Sequence, residues 1–186
     1  MTSELLFAPY APKSMAPDQC IGAKFDRLLE AFELKKSVEN RRVVIKMHLG
    51  GGNGFSTIHP FFVRKLVKAL KAAGAESIFI TDLKRDVETA IDRGYTEEVC
   101  GCPIVPVCGG DESEFVSFPV EPPFKTMDRI ELSKPILDAD VLLGGFSESP
   151  QATIINAHNS AKISAIIFFI WNLLCYDKEY TIILTY

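Results

Sequence analysis

Lys46 and His48 stand two residues apart in an apolar run, Val43 to Leu49, that ends in Gly50-Gly51-Gly52-Asn53-Gly54. Positions i and i+2 of a strand point to one face, so both side chains gather near the strand's carboxyl end. A lysine there holds an anion, and an imidazole carries a proton or ligates a metal near neutral pH. Glycine tolerates positive φ and lets the backbone approach a ligand, so the turn could present its amides to negative charge. Lys46, His48, Gly51, Gly52 and Asn53 are therefore a candidate ligand-binding set. Asp82 joins them from the end of the next apolar run, Ser77 to Thr81, because ligands of open α/β sheets gather outside the carboxyl ends of the strands. The chemistry would be capture of a small anionic ligand or cofactor. Plainer readings stand beside it. The turn could hold no ligand, Lys46 could reach outward while His48 makes one hydrogen bond, and Asp82 could cap the following helix. Neither GxGxxG nor GxxxxGK[ST] fits the glycines.

The elements that would position these residues are legible around them. From Arg41 to Asp82 the chain reads as strand, glycine-rich turn, amphipathic helix and strand, which is one βαβ unit. The strands lack polar alternation, as in a buried parallel sheet. Pro60 suits the first helical position and Gly74 the position after the last turn. Between them Phe62, Val63, Leu66, Val67, Leu70 and Ala73 make the buried stripe, with Arg64, Lys65, Lys68 and Lys71 outside. Upstream, Ile21, Phe25, Leu28, Leu29, Phe32 and Val38 recur at helical spacing, with Lys24, Asp26, Arg27, Glu30 and Glu33 on the other face. Residues 1–20 carry Pro9, Pro12 and Pro17 and read as an extended arm. Downstream of Asp82 the pattern gives a helix from Lys84 to Arg93 stopped by Gly94. A short strand follows at Ile104 to Val107, placed near an edge by Pro103 and Pro106. Glu114 to Val120 and Phe124 to Ile130, separated by Glu121-Pro122-Pro123, could form a hairpin or a looser pair of extended segments. A short helix at Leu132 to Leu137 and a core strand from Asp140 to Leu143, ended by Gly144-Gly145, complete the pattern. The fold class expected is α/β, a Rossmann-like three-layer parallel or mixed sheet with helices on both faces, in incomplete form.

Other chemistry-bearing residues give less. Cys100, Cys102 and Cys108 have the spacing C-x-C-x5-C, unlike zinc or ferredoxin runs, and read as small buried or loop thiols; no metal set is assigned. His59 before Pro60 reads as a helix-start residue, and His158 has no assigned role. No GxSxG elbow is present, so nucleophilic catalysis lacks support.

Composition bounds the function classes. The chain has 186 residues, a net charge of −4 and five cysteines. That length suits one domain with a substantial core. Its Lys and Arg are interleaved with Asp and Glu, which argues against a nucleic-acid face. The N-terminal residues have no basic n-region, and Pro9 and Pro12 break their apolar run, so no secretory signal is read there and a reducing cytoplasm is expected. The uncharged run Ile163 to Tyr176 is 14 residues, short of the ~20 that cross a bilayer. No membrane span is read, and IIFFIW within this run has the content of a buried or aggregation-prone strand.

In order, VVIKMHLGGGNGFSTIHPFFVRKLVKALKAAGAESIFITD, RGY, a Pro-Ile-Val strand with a Gly-Gly-Asp turn, and KPILDADVLL resemble the N-terminal half of the family called domain of unknown function 362. The resemblance covers roughly residues 21–146, and many family members are described as uncharacterised iron–sulfur centre proteins. It therefore implies an iron–sulfur cluster and a redox-related role, although the ferredoxin-type cysteine motif is absent from this chain. The βαβ start is also distantly similar to the N-terminal domain of nickel-pincer lactate racemases, an analogy of fold that leaves an enzyme fragment or an inactive fragment as the alternatives. Family members usually continue with Lys-Gly-His and Gly-Phe-Gly-Gly segments that are missing here. Residues 147–186 match nothing in the family, and all 12 glycines and all 11 prolines lie at or before residue 150. A truncated or frame-shifted copy fits that break better than a divergent terminus.

Overall fold

The computed structural model describes residues 5–9, 11–51, 57–106, 115–124, 127–146, 164–170 and 181–185. Its central βαβ unit is β2 (Arg42–Met47), α3 (Pro60–Ala72) and β3 (Ser77–Thr81), and β2 and β3 run parallel with Lys46 opposite Thr81. On the other side β2 pairs in parallel with β6 (Val141–Phe146), which pairs in parallel with β7 (Ser164–Ile170). β1 (Leu5–Pro9) and β8 (Thr181–Thr185) complete a six-stranded mixed sheet in the order β1-β8-β7-β6-β2-β3, the β7–β8 and β8–β1 pairs being antiparallel. From β2 the chain steps outward to β3, and from β6 it steps the opposite way to β7. The carboxyl ends of β2 and β6 therefore flank the crevice where an open α/β sheet binds its ligands.

One face of β2 builds the core. Val43, Ile45, Met47 and Leu49 pack with Phe25, Leu28 and Leu29 of α1 (Ile21–Ala31) and with Val63, Leu66, Val67 and Leu70 of α3. Val44, Lys46 and His48 alternate onto the opposite face. The α3 boundaries follow from the local chemistry. Pro60 opens the helix after His59, whose Nδ1 accepts from the Phe61 N–H at 3.1 Å. Gly74 closes it at φ +87°, which a side chain would resist.

The stripe read as one helix from Ile21 breaks in two. α1 stops at Ala31, Glu33 takes φ +50°, and α2 (Leu34–Val38) starts in a new direction that buries Leu34 and Val38. Lys24 is buried instead of solvated. Its Nζ donates to the Pro9 and Ala11 carbonyls at 2.7 and 2.8 Å and so ties the N-terminal strand to α1. Lys65, read as outer surface, bonds Asp26 across α1 and α3 at 2.6 Å.

After β3 come α4 (Lys84–Ala90), a 3-10 turn at Ile91–Arg93 ended by Gly94, and α5 (Glu97–Cys100). The strand read at Ile104 to Val107 is reduced to one parallel bridge, Ile80 to Ile104, held by Ile80 N to Pro103 O and Val105 N to Ile80 O. Pro103 and Pro106 have no N–H, so the ladder cannot extend on either side; Val107 lies outside the described residues. β4 (Phe115–Phe124) and β5 (Met127–Ser133) form a separate antiparallel hairpin. The Pro122-Pro123 segment expected to separate them lies within β4, where the register shifts between Pro119 and Phe124. α6 (Lys134–Leu137) is shorter than its expected range, because Leu132 and Ser133 finish β5.

Leu70 has no exposed surface. Its replacement by alanine deletes methyl groups that α3 buries against the sheet, so Leu70→Ala should cost about 2–5 kcal/mol of unfolding free energy in chemical denaturation.

Candidate functional site

Three of the residues singled out by sequence meet at the carboxyl ends of β2 and β3. Asp82 is 2% exposed. Its Oδ1 accepts from Lys46 Nζ at 2.7 Å and its Oδ2 from the Leu49 N–H at 2.7 Å, while His48 Nδ1 stands 3.5 Å from Oδ2. A carboxylate this enclosed needs such partners, and two of them come from the end of β2. Asp82 does not cap the following helix: the N-cap of α4 is Leu83, with no side-chain hydrogen bond. Lys46 and His48 keep 41% and 53% of their side-chain surface, so both stay open to solvent from a buried anchor.

Gly51 also borders the group, since a Cβ built there would sit 3.6 Å from Asp86 Oδ1 and 4.0 Å from Arg85 Nε. Gly52 and Asn53 lie outside the described residues.

The structure adds two residues that sequence reasoning missed. Arg93 folds back over the start of the turn. Its Nη1 donates to the Gly51 and Thr89 carbonyls at 3.1 Å each, and its Nη2 to the Gly50 carbonyl at 2.6 Å and to the Leu49 carbonyl. A planar guanidinium can hold consecutive carbonyls in this way and an ammonium cannot. Because a trans peptide sets its C=O and N–H on opposite edges, the N–H groups of Gly50 and Gly51 point away from Arg93. Neither donates to an acceptor among the described residues. Gly50 holds φ +66°, the conformation that lets the chain leave β2 in this direction.

Asp86, in the first turn of α4, is the second addition. Its side chain is 2% exposed, and Oδ1 accepts from Arg85 Nε at 3.2 Å. The only signal in the sequence was its spacing, four residues beyond Asp82. The Thr89 hydroxyl donates to Arg85 O at 3.0 Å within the helix and lies 3.4 Å from Gly50 O of the turn.

The cysteines stand apart from this group. Cys100 and Cys102 are buried in the hydrophobic core, and burial pushes their thiols up to about 11 and about 12. Among the described residues no group of cysteines is arranged to hold a metal, and Cys20 is an exposed helix-cap residue at the start of α1. Cys108 and Cys175 lie outside the described residues. Among the described residues no helix is long and apolar enough to cross a membrane.

The sequence model of the family described as Domain of unknown function (DUF362) matches residues 43–144, from the first core position of β2 through Gly144 of β6. That is more than half of the chain. The chain belongs to the DUF362 family. The matched span encloses every described residue of the Lys46–Asp82 group, with Arg93 and Asp86. No curated protein matches this DUF362 chain. Among solved structures it is similar to a Thermotoga maritima protein from the Northeast Structural Genomics Consortium, with a TM-score of 0.51 and 7% identity over 93% of this chain and 55% of that one. The DUF362 chain thus spans about half the length of that protein, and the likeness is one of fold. A ribosomal protein L11 methylase from Lactobacillus delbrueckii subsp. bulgaricus aligns over 92% of this chain and 88% of its own, at 11% identity and a TM-score of 0.36, too low to carry an argument.

Arg93→Met removes the clamp on the turn. It should cost about 1.5–3 kcal/mol, the worth of a hydrogen bond to a charged group, and lower the backbone order parameters of Gly50 and Gly51 in NMR relaxation. Arg93→Lys should not restore them.

The raised thiols set a second expectation. Native Cys100 and Cys102 stay protonated where an unfolded thiol, near 9, already ionises. Their contribution to stability is complete below about pH 9 and is lost as pH rises toward 11 and 12. Denaturation midpoints should therefore fall across that alkaline range, and Cys20 should react with iodoacetamide at pH 8 well before either buried thiol.

Proposed function

We propose that this chain binds a small anionic ligand or cofactor at the rim formed by the turn after β2, in the manner of a half of a longer α/β protein. What carries the reading is the orientation of the turn. Arg93 occupies the carbonyls of Leu49, Gly50 and Gly51, so the opposite edge offers amide donors with no acceptor of their own among the described residues. Backbone N–H groups of this kind, at the carboxyl end of a parallel strand, suit a phosphate or a carboxylate. Lys46 and His48 stand beside them with solvent access. The carboxyl ends of β2 and β6 mark the switch point of the sheet, the place where open α/β sheets bind their ligands.

The redox-related role implied by family resemblance belongs to whatever ligand the rim holds, since Cys100 and Cys102 are core thiols.

Inorganic phosphate and pyrophosphate are the probes. Titration into the full chain should move the amide signals of Gly50 and Gly51 in two-dimensional NMR. Loss of one charge-assisted hydrogen bond removes about 1.5–3 kcal/mol, so Lys46→Met should weaken binding about tenfold or more. His48→Gln, which leaves the Asp82 anchor intact, should weaken it less. Lys46→Met also strips Asp82 of its ammonium partner, so its thermal unfolding is measured alongside. Amide signals that stay still at millimolar phosphate, or that move equally in a folded Lys46→Met variant, would overturn the proposal.

A further inference from the structure

We propose that the same rim carries a divalent-cation site made by His48, Asp82 and Asp86. The three residues come from separate places, just past β2, just past β3 and the first turn of α4, yet one ligand atom of each lies within 4.8 Å of the others. A first-row ion takes nitrogen and oxygen ligands at about 2.0–2.2 Å, so two ligands on opposite sides of it stand about 4.4 Å apart. His48 keeps 53% of its side-chain surface and can close the remaining gap by turning.

The state of Asp86 points to a ligand independently of that spacing. Its side chain is 2% exposed, yet the partner of Oδ1 is Arg85 Nε at 3.2 Å, on a side chain that is itself 77% exposed. Oδ2 accepts no hydrogen bond among the described residues. Arg85 reaches in from solvent as its cation, and Oδ2, which is not among the fully buried polar atoms that lack a partner, stays reachable and has acceptor capacity for an ion. Asp82 retains capacity too. Lys46 and the Leu49 N–H use one acceptor site on each of its oxygens, and a carboxylate offers about four in all.

One imidazole and two carboxylates suit Mn2+, Fe2+, Co2+ or Zn2+. Lys46 already balances Asp82, so the ion's charge would be met by Asp86 and by an anion on the solvent side, where His48 is exposed. The inference rests on the anion-binding reading only for what fills those outer positions. Binding of the metal is tested without any such ligand.

The full chain, stripped with EDTA and dialysed, is titrated with Mn2+ and Co2+ chlorides by calorimetry and by cobalt visible absorption. One equivalent should bind, and Asp86→Asn and His48→Gln should each weaken it about tenfold or more, since losing even an outer-shell partner of a metal costs about that much. Circular dichroism establishes that both variants are folded, and the nearly isosteric Asp86→Asn keeps the site's shape. No saturable binding to the native chain, or unchanged affinity in both folded variants, would overturn the metal site. A parallel titration of inorganic phosphate in the presence of EDTA separates the two readings. Metal binding without phosphate binding upholds the cation site and removes the anion reading, whereas phosphate binding with no metal binding does the reverse.

Discussion

The rim is organised by one buried carboxylate. Asp82 has almost no contact with water, and an unpartnered charge in that position would cost more than the loss of an ordinary surface contact. Its needs are met from the end of β2, by the Lys46 ammonium and by the Leu49 N–H. Satisfying it therefore fixes how the chain leaves β2, and with it the position of His48 and the entry into the glycine-rich turn. Parallel pairing of β2 with β3 makes the arrangement possible, because Lys46 lies opposite Thr81, one residue before the acid. An antiparallel pair would have put the two ends on opposite edges of the sheet.

Arg93 does for the carbonyls what Asp82 does for the strand end. It collects the oxygens of Leu49, Gly50 and Gly51 and a fourth from Thr89 in its own helical turn. The electrostatics of the turn are thereby sorted. Acceptors face a cation on the inner side, and donors face outward. Two acids lie at the centre of the rim, Asp82 bonded by Lys46 and Asp86 by Arg85. The two proposed ligands would use different parts of this surface, an anion the amides and Lys46, a metal ion the acids and His48.

The helical layer supports the rim without touching its chemistry. α1 and α3 pack on the face of β2 that carries Val43, Ile45 and Met47, while Lys46 and His48 project on the other. Mutations in that core act through stability, whereas Lys46 and His48 keep a solvent-facing surface on the other side of the strand. The family match covers this unit and its continuation to β6. Beyond it, β7 and β8 extend the sheet, and β1 joins at its edge through β8.

Much of the fold was legible in the sequence because its signals are local. Hydrophobic runs marked β2 and β3. Pro60 and Gly74 bracketed α3, and the length between the strands required a parallel crossover. Lys46 and His48 could be put on one face by strand period alone. The break at Glu33 escaped that reading because a helical stripe continues across it, and so did the ladder beside β3, where prolines leave only a single bridge. The site was half legible for the same reason. Asp82 could be placed at a strand end from its own neighbours. Its choice of Lys46 and Leu49 over a capping role, the return of Arg93 across more than forty residues to the turn, and the burial of Asp86 beside it depend on the approach of segments far apart in the chain. Sequence by itself determined the βαβ unit of β2, α3 and β3 with the turn inside it, because spacing and backbone preference act over a few residues. Only the tertiary structure decided which charges are buried together, because the cost of a charge depends on what else is folded against it.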